Sequence, residues 1–496
     1  MRKLPGFIAF MLLSSMSIAQ GNLNYAWSYL TPPSKAEAWG VDVDNSGNVL
    51  WAVSSANTNA DLNITGYKFD SNGNVLWNPL PVVVDIGNEK AFIVKATDSV
   101  MYIGGQHCPP LGFGVNCPLL LVKLNATTGI YIDSFAYKYN TTFGYNEVDD
   151  IHLFSDGILL SGWAQTAGSA YQIEMGFMKI THDMSSVIWQ NTFGQPNTAE
   201  HQDGHIYIDS DTIYACGMWG GTGIANLYDG SALLTKFNLN GATFIDSTLF
   251  GNSSMAYLNL ENALGMTSDG NKLYVTGYTT IAANDAQIFV ACFDKNLNML
   301  WIHDWGGSNF ESARSIQVSN GFVYVGGQSN STSVSSTGYD GVLLKYDTAG
   351  NFISYKKYST PGNDEIRDMK IDGNDIYLSG SSSLSDTTNQ TEIAFLVKCD
   401  LSQLTAIDES KIESINVSLI QNPVTDYAFL KFNQRVPQHL SVSIYDQTGK
   451  QVRAEEMHIT RNESELKINV SEFKRGVYIL KLESSKGNFT QKLVKL

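Results

Sequence analysis

Apolar and polar residues alternate along this chain in short runs, and the runs recur in a fixed order. A Glu opens an alternating strand and a turn follows. An apolar run then ends near Gly, and after a loop of variable length another strand closes on Lys. The phrase begins at Glu37, Glu89, Glu147, Glu200, Glu261, Glu311 and Glu365, at separations of 50 to 61 residues. Period-two alternation between turn residues predicts half-buried antiparallel strands. A repeat of several such strands at this length is how the blades of a β-propeller read. The predicted fold class is all-β: a seven-bladed β-propeller at 22–407 closed by an N-terminal strand. A linker at 408–415 and a small C-terminal β-sandwich at 416–496 follow it.

The fifth blade gives the pattern plainly. Strands are predicted over 262–268, 272–279, 287–293 and 299–305, joined by turns such as Asp269-Gly270-Asn271, whose residues tolerate positive φ and bond locally to the backbone. The third strand ends on Lys68, Lys123, Lys179, Lys236, Lys345 and Lys398, with Cys292 in that place in the fifth blade. The seventh blade lacks an obvious fourth strand. The segment from Leu23 to Ser28 reads like the fourth strands around Trp77, Trp189 and Trp301, so it is expected to complete the ring and remove a free sheet edge.

The ends of the chain and its charge bear on location. Arg2 and Lys3 precede the apolar run from Phe7 to Leu13 and small residues through Ala19, the pattern of a signal peptide at 1–19. That run is shorter than the ~20 residues a membrane span needs. The net charge is −16, and it is uneven. Residues 408–496 hold 13 Lys and Arg against 11 Asp and Glu, and the rest of the chain holds 19 against 37. So acidic a body repels phosphate backbones and excludes nucleic acid as the expected partner. Cys108 and Cys117 flank a Pro- and Gly-rich loop and are expected to close it as a disulfide. Cys216, Cys292 and Cys399 lie in strand-like runs as buried thiols.

Candidate chemistry is thinner. The recurring Glu is expected to place seven carboxylates around one mouth of the channel, individually satisfied and structural, because unshielded like charges repel. The long loops at 106–118, 164–172, 218–230, 252–260 and 328–341 share one face with aromatics on or beside them. Trp163, Tyr171, Trp219, Tyr228, Tyr257, Trp305 and Tyr339 are the candidate ligand-binding residues. His201, Asp203 and His205 alternate on one strand and are the weak candidates for a metal. Asp42-x-Asp44-x-Ser46-Gly47 resembles the start of a calcium loop but has no Glu at the twelfth position, so it reads as a turn. No cofactor is expected, and no Ser-His-Asp or phosphate-binding Gly-rich signature is present.

From Ile415 the texture changes. Asn422-Pro423-Val424, the aromatic-Asp-x-x-Gly449-Lys450 turn, Gly476-Val477-Tyr478 with Lys481, and the closing Lys-Leu-Val-Lys occur in that order. Together they resemble the C-terminal sorting domain of the Bacteroidetes type IX (Por) secretion system over about the last 80 residues. The resemblance implies engagement of the type IX machinery, passage across the outer membrane, removal of the tail, and release or attachment at the surface. The body resembles bacterial seven-bladed repeat proteins only loosely. The function expected is a secreted or cell-surface binding or adhesion module for an extracellular glycan or protein. The alternative is a propeller-fold glycan hydrolase or lyase.

Overall fold

The computed structural model describes residues 23–496. Outside the described residues lie 1–22, 24, 33–34, 59–60, 78–80, 83–86, 110–116, 140–143, 167–172, 195–198, 203–204, 222–229, 251–260, 283–284, 308, 332–333, 335–337, 387–388, 405–416, 433–438, 446–450, 459–464 and 485–486. The described residues are almost wholly antiparallel β-structure. The body contains five four-stranded sheets and one of nine strands. In the sheet that opens at Glu261, the strands Glu261–Ser268, Lys272–Ala282, Asp285–Asp294 and Met299–Trp305 pair in chain order. The sheets opening at Ala36, Asn88 and Glu311 repeat this order, and the nine-stranded sheet spans Asp150 to Phe250. Within it a single parallel pairing, Ile173 with Ala199, joins a four-stranded array to a five-stranded one, in which Ala199–Gln202 and Tyr207–Asp209 both pair with Thr212–Gly221. The arrangement is propeller-like.

The last body sheet takes its outer strand from the start of the chain. Trp27–Leu30 pairs antiparallel with Asn389–Asp400, from Trp27 against Lys398 to Leu30 against Phe395. First strands of successive sheets lie side by side. Ala36–Val43 sits between Asn88–Ala96 and Asn363–Asp372, and Glu311–Ser319 sits between Glu261–Ser268 and Asn363–Asp372. Side-chain bonds cross the junction of the last and first sheets: Val41 N–H donates to Asp368, and the Trp51 indole donates to Ser379 at 2.9 Å.

A second tie runs round the outside. Trp27, Trp77 and Trp301 each pack on a turn glycine of the following sheet, Gly73, Gly129 and Gly350, where an added Cβ would meet the indole within 3 Å. All three glycines hold positive φ, so the turn and the close approach both require glycine. Between the sheets the core is aliphatic and aromatic, with Trp51, Tyr274, Tyr346 and Tyr377 fully buried. Three of the lysines that end third strands reach the first turn of their own sheet. Lys68 pairs with Asp44 at 2.8 Å, Lys179 with Asp156 and Lys398 with Asp375.

The tail has its own core. Val417–Leu419, Tyr427–Phe432 and Glu465–Asn469 form one sheet. His439–Tyr445, Gln451–His458, Gly476–Ser484 and Gly487–Lys495 form the other. Leu430, Val442, Ile444, Ile468, Leu480, Leu482 and Leu493 fill the space within this fold.

The first-strand cluster as candidate functional site

In five body sheets the first strand carries a bulge that leaves one residue out of the pairing. These residues are Trp39, Phe92, Leu264, Arg314 and Arg367. Bulges re-aim side chains and recur beside functional sites. Four of the five meet in one cluster. The Arg367 guanidinium lies 4.3 Å from the Trp39 ring centroid and Arg314 lies 5.2 Å from it, while Phe92 packs edge-on to the indole. Guanidinium groups over an indole gain from its quadrupole, more so when desolvated.

Carboxylates frame these cations. Glu365 accepts from Arg367 Nε at 2.9 Å and from Arg314 Nε at 3.2 Å. Glu37 lies 3.7 Å from both Arg367 and Lys90. Burial pushes the Glu365 carboxyl upward, but Arg367 and Arg314 outweigh it and hold it below the usual range. Burial likewise opposes Lys90 and Arg367 at Glu37, and again the cations prevail. Glu392 differs, since burial and the neighbouring Glu37 push its carboxyl up. Its Oε2 and the Nη1 of Arg367 are buried without a hydrogen bond.

One residue beyond the bulge at Arg367, Asp368 ends an ionic chain that runs to His152. His152 Nε2 lies 3.1 Å from Asp150, whose second contact is His205 at 3.7 Å. His205 reaches across to Asp368 at 3.3 Å, and Asp368 also accepts from Ser315 Oγ and from the backbone of Val41. Burial works against the charge on His205, yet Asp150 and Asp368 together raise its imidazole to about 10. Asp150 is held well below the ordinary carboxylate range, because the two histidines outweigh its burial. The chain links the nine-stranded sheet to the last sheet.

The expected single ring of seven glutamates is corrected by the register. Glu89, Glu261 and Glu311 stand two residues before the last partner ahead of the bulge, but Glu37 and Glu365 stand one before it. Successive strand residues face opposite ways, so one register step separates two roles. Glu89 is fully buried against His107 at 2.9 Å, and Glu311 accepts from Ser329 Oγ, Ser331 Oγ and Gly307 N–H. Glu37 and Glu365 belong to the cation cluster. Glu147 lies just ahead of Asp150–Phe154, and Glu200 lies in Ala199–Gln202.

The loop-face aromatics separate similarly. Trp305 is corrected outright: it is buried against Tyr355 between two sheets. Trp219 packs on Phe193 at the margin of a core. Trp163 pairs with Tyr145, and Tyr339 with Phe310, which meets Tyr278; these remain half-exposed. Tyr171, Tyr228 and Tyr257 lie outside the described residues, as do Asp203, Gly449 and Lys450. His201 falls in Ala199–Gln202, and only its backbone is described. Among the described residues, no group of three or more His, Cys, Asp or Glu is placed to hold a metal ion.

The calcium-like motif is a turn. Asp44 accepts from the N–H groups of Ser46 and Asn48 and from the Asn48 amide. Asp70, Asp294 and Asp347 repeat this with Asn74, Asn298 and Asn351. Cys108 and Cys117 are disulfide-bonded, and Cys216, Cys292 and Cys399 are buried thiols. The sequence reading missed Trp39, Arg314, Arg367, Asp150 and Asp368. A signal for two of them was present, since Arg314 and Arg367 are the only arginines between residues 20 and 407.

In the tail, Asn422 fixes the turn at Pro423 to the final strand. Its amide donates to the Lys492 carbonyl at 2.7 Å, and its Oδ1 accepts from Val494 N–H. Gly476 opens the strand that carries Tyr478 and Lys481, and Tyr478 stacks on Phe473.

Comparison with known proteins agrees with this division. No curated protein matches the chain by sequence. Among solved structures, the plexin A4 full extracellular region aligns at 9% identity and a TM-score of 0.45, covering 94% of this chain and 62% of that one. The chain thus spans less than two thirds of the plexin's length. The polysaccharide lyase Uly1 aligns at 9% identity and 0.44, covering 76% of this chain and 92% of that one. At such scores the likeness extends to neither ligand nor activity. Among the described residues no helix is long and apolar enough to cross a membrane. The model of the secretion system C-terminal sorting domain matches residues 421–496. The tail therefore belongs to the type IX sorting-domain family, and it marks the protein for export to the cell surface or the medium.

Proposed function

We propose that residues 22–407 form a seven-bladed ring closed by the N-terminal strand, and that this ring is a binding or adhesion module for an extracellular glycan or protein ligand. The side-by-side first strands, and the pairing of Trp27–Leu30 with Asn389–Asp400, support the ring. A signal peptide at 1–19 would carry the chain to the periplasm, and the tail would engage the type IX machinery from there.

One observation carries the binding reading. Partly exposed Trp39, Phe92 and Arg314 converge on one spot with the mostly buried Arg367, and the carboxylates Glu37 and Glu365 beside them are already committed to cations. A second reading, a glycan hydrolase or lyase, is favoured by the opposite displacements of Glu37 and Glu392, since an acid–base pair needs carboxyls pushed apart in this way. Glycan-array binding, run beside product analysis on the same glycans, tests both. Retention without cleavage is expected. Turnover that is abolished by Glu392→Gln would replace binding with catalysis.

A further inference from the structure

Arginine use in the body is sharply selective. Between residues 20 and 407 there are 15 lysines and two arginines, and both arginines occupy the bulge position of adjoining sheets beside the same indole. Lysine serves wherever this body needs a point charge, as in the pairs of Lys68, Lys179 and Lys398. Arginine differs in its planar fork, which takes an oxyanion through two parallel N–H bonds. Only one edge of Arg314 is engaged: its Nε donates to Glu365, and its side chain is 35% exposed. Arg367 keeps a buried Nη1 without a hydrogen bond. Trp39 holds the two guanidinium groups in place, and Lys90 adds a third cation across Glu37.

Resting on the binding reading above, we propose that this cluster seats the acidic group, carboxylate or sulfate, of a sparsely charged extracellular glycan. The free edge of Arg314 takes the oxyanion, and Arg367, buried behind it and 3.7 Å from Glu37, adds its charge to the same spot. The surrounding body favours a single acidic unit over a dense polyanion. Residues 1–407 carry 19 cations against 37 carboxylates, which repel a chain charged at every unit while the local cations admit one.

Calorimetry on the full chain tests this with glucuronate- or galacturonate-capped oligosaccharides, sulfated oligosaccharides, and neutral oligosaccharides of equal length. Acidic ligands should bind at least tenfold more tightly than neutral ones. Arg314→Lys, which keeps the charge and loses the fork, should cost roughly tenfold in affinity for the acidic ligand and nothing for the neutral one. An unchanged thermal transition in that variant shows that the fold is intact. The carboxylated and sulfated arms identify which oxyanion is used. Equal affinity for acidic and neutral glycans, or full affinity in Arg314→Lys, overturns the proposal and leaves the broader binding reading standing. Absence of binding to every glycan and surface protein tried overturns both.

Discussion

The body and the tail are both antiparallel β-structure, yet they bury different chemistry. Among the described residues of the tail the interior is apolar, and the buried polar side chains are Ser443 and Lys495. The body buries Asp150, Asp364, Asp368, Glu89 and Glu311, each held by named donors. A small sandwich closes on itself by apolar pattern alone. Sheets that must meet others around a shared centre need a way to fix which surface meets which. Buried polar groups supply that by being costly whenever a partner is missing. The His152–Asp150–His205–Asp368 chain is the clearest case, because it joins sheets far apart in sequence. The export signal thus lies in a tail closed by apolar packing, and the proposed recognition in a body whose interior is specified residue by residue.

The sharpest way to break this division is to remove the tail. Truncation after residue 407 should abolish export and leave the protein in the periplasm, as read by cell fractionation; unchanged export would merge the two roles. Next comes the ionic chain. Asp368→Ala removes the acceptor for His205, Ser315 and Val41 and should lower unfolding free energy by about 3–5 kcal/mol in urea titration. A substitution of similar burial in the tail, Leu482→Ala, should cost about 2–5 kcal/mol through a cavity instead. It should show no pH dependence of that loss.

Opening the Cys108–Cys117 bridge with the double Ser variant should cost roughly 2–3 kcal/mol, since the closed loop is short. The effect should appear in the body's transition and vanish when the wild type is measured under reducing conditions. The mildest test is pH. His205 titrates at about 10 in the folded chain against 6.5 ordinarily, so its contribution is complete below pH 6.5 and is lost as pH rises toward 10. The urea midpoint should fall across that window in the wild type and flatten in His205→Gln. A wild-type midpoint that does not move would remove the charged imidazole from the account.

Much of the architecture was legible. Alternation and turn chemistry located the strands, and the Asp-x-x-x-Asn turns behave as local motifs because every bond in them spans four residues or fewer. The expected pairing of the N-terminal segment had a visible cue in Trp27, which stands where Trp77 and Trp301 stand and packs on the same kind of glycine. The site was largely illegible. Trp305 and Tyr339 look alike in sequence, and only tertiary packing, with Tyr355 over Trp305, separates a core residue from a half-exposed one. The glutamates misled for a simple reason: their spacing along the chain is nearly constant, but the bulge shifts register by one residue between sheets, and one residue reverses the face.

By itself, then, the sequence determined the elements, the turns, the disulfide loop and the export tail, because each rests on interactions between residues near one another or on a motif read as a unit. Tertiary structure decided which charges meet. Trp39 lies hundreds of residues from Arg314 and Arg367, and His205 and Asp368 are separated by 163. Their convergence follows from the side-by-side packing of first strands, a long-range arrangement that no local pattern encodes.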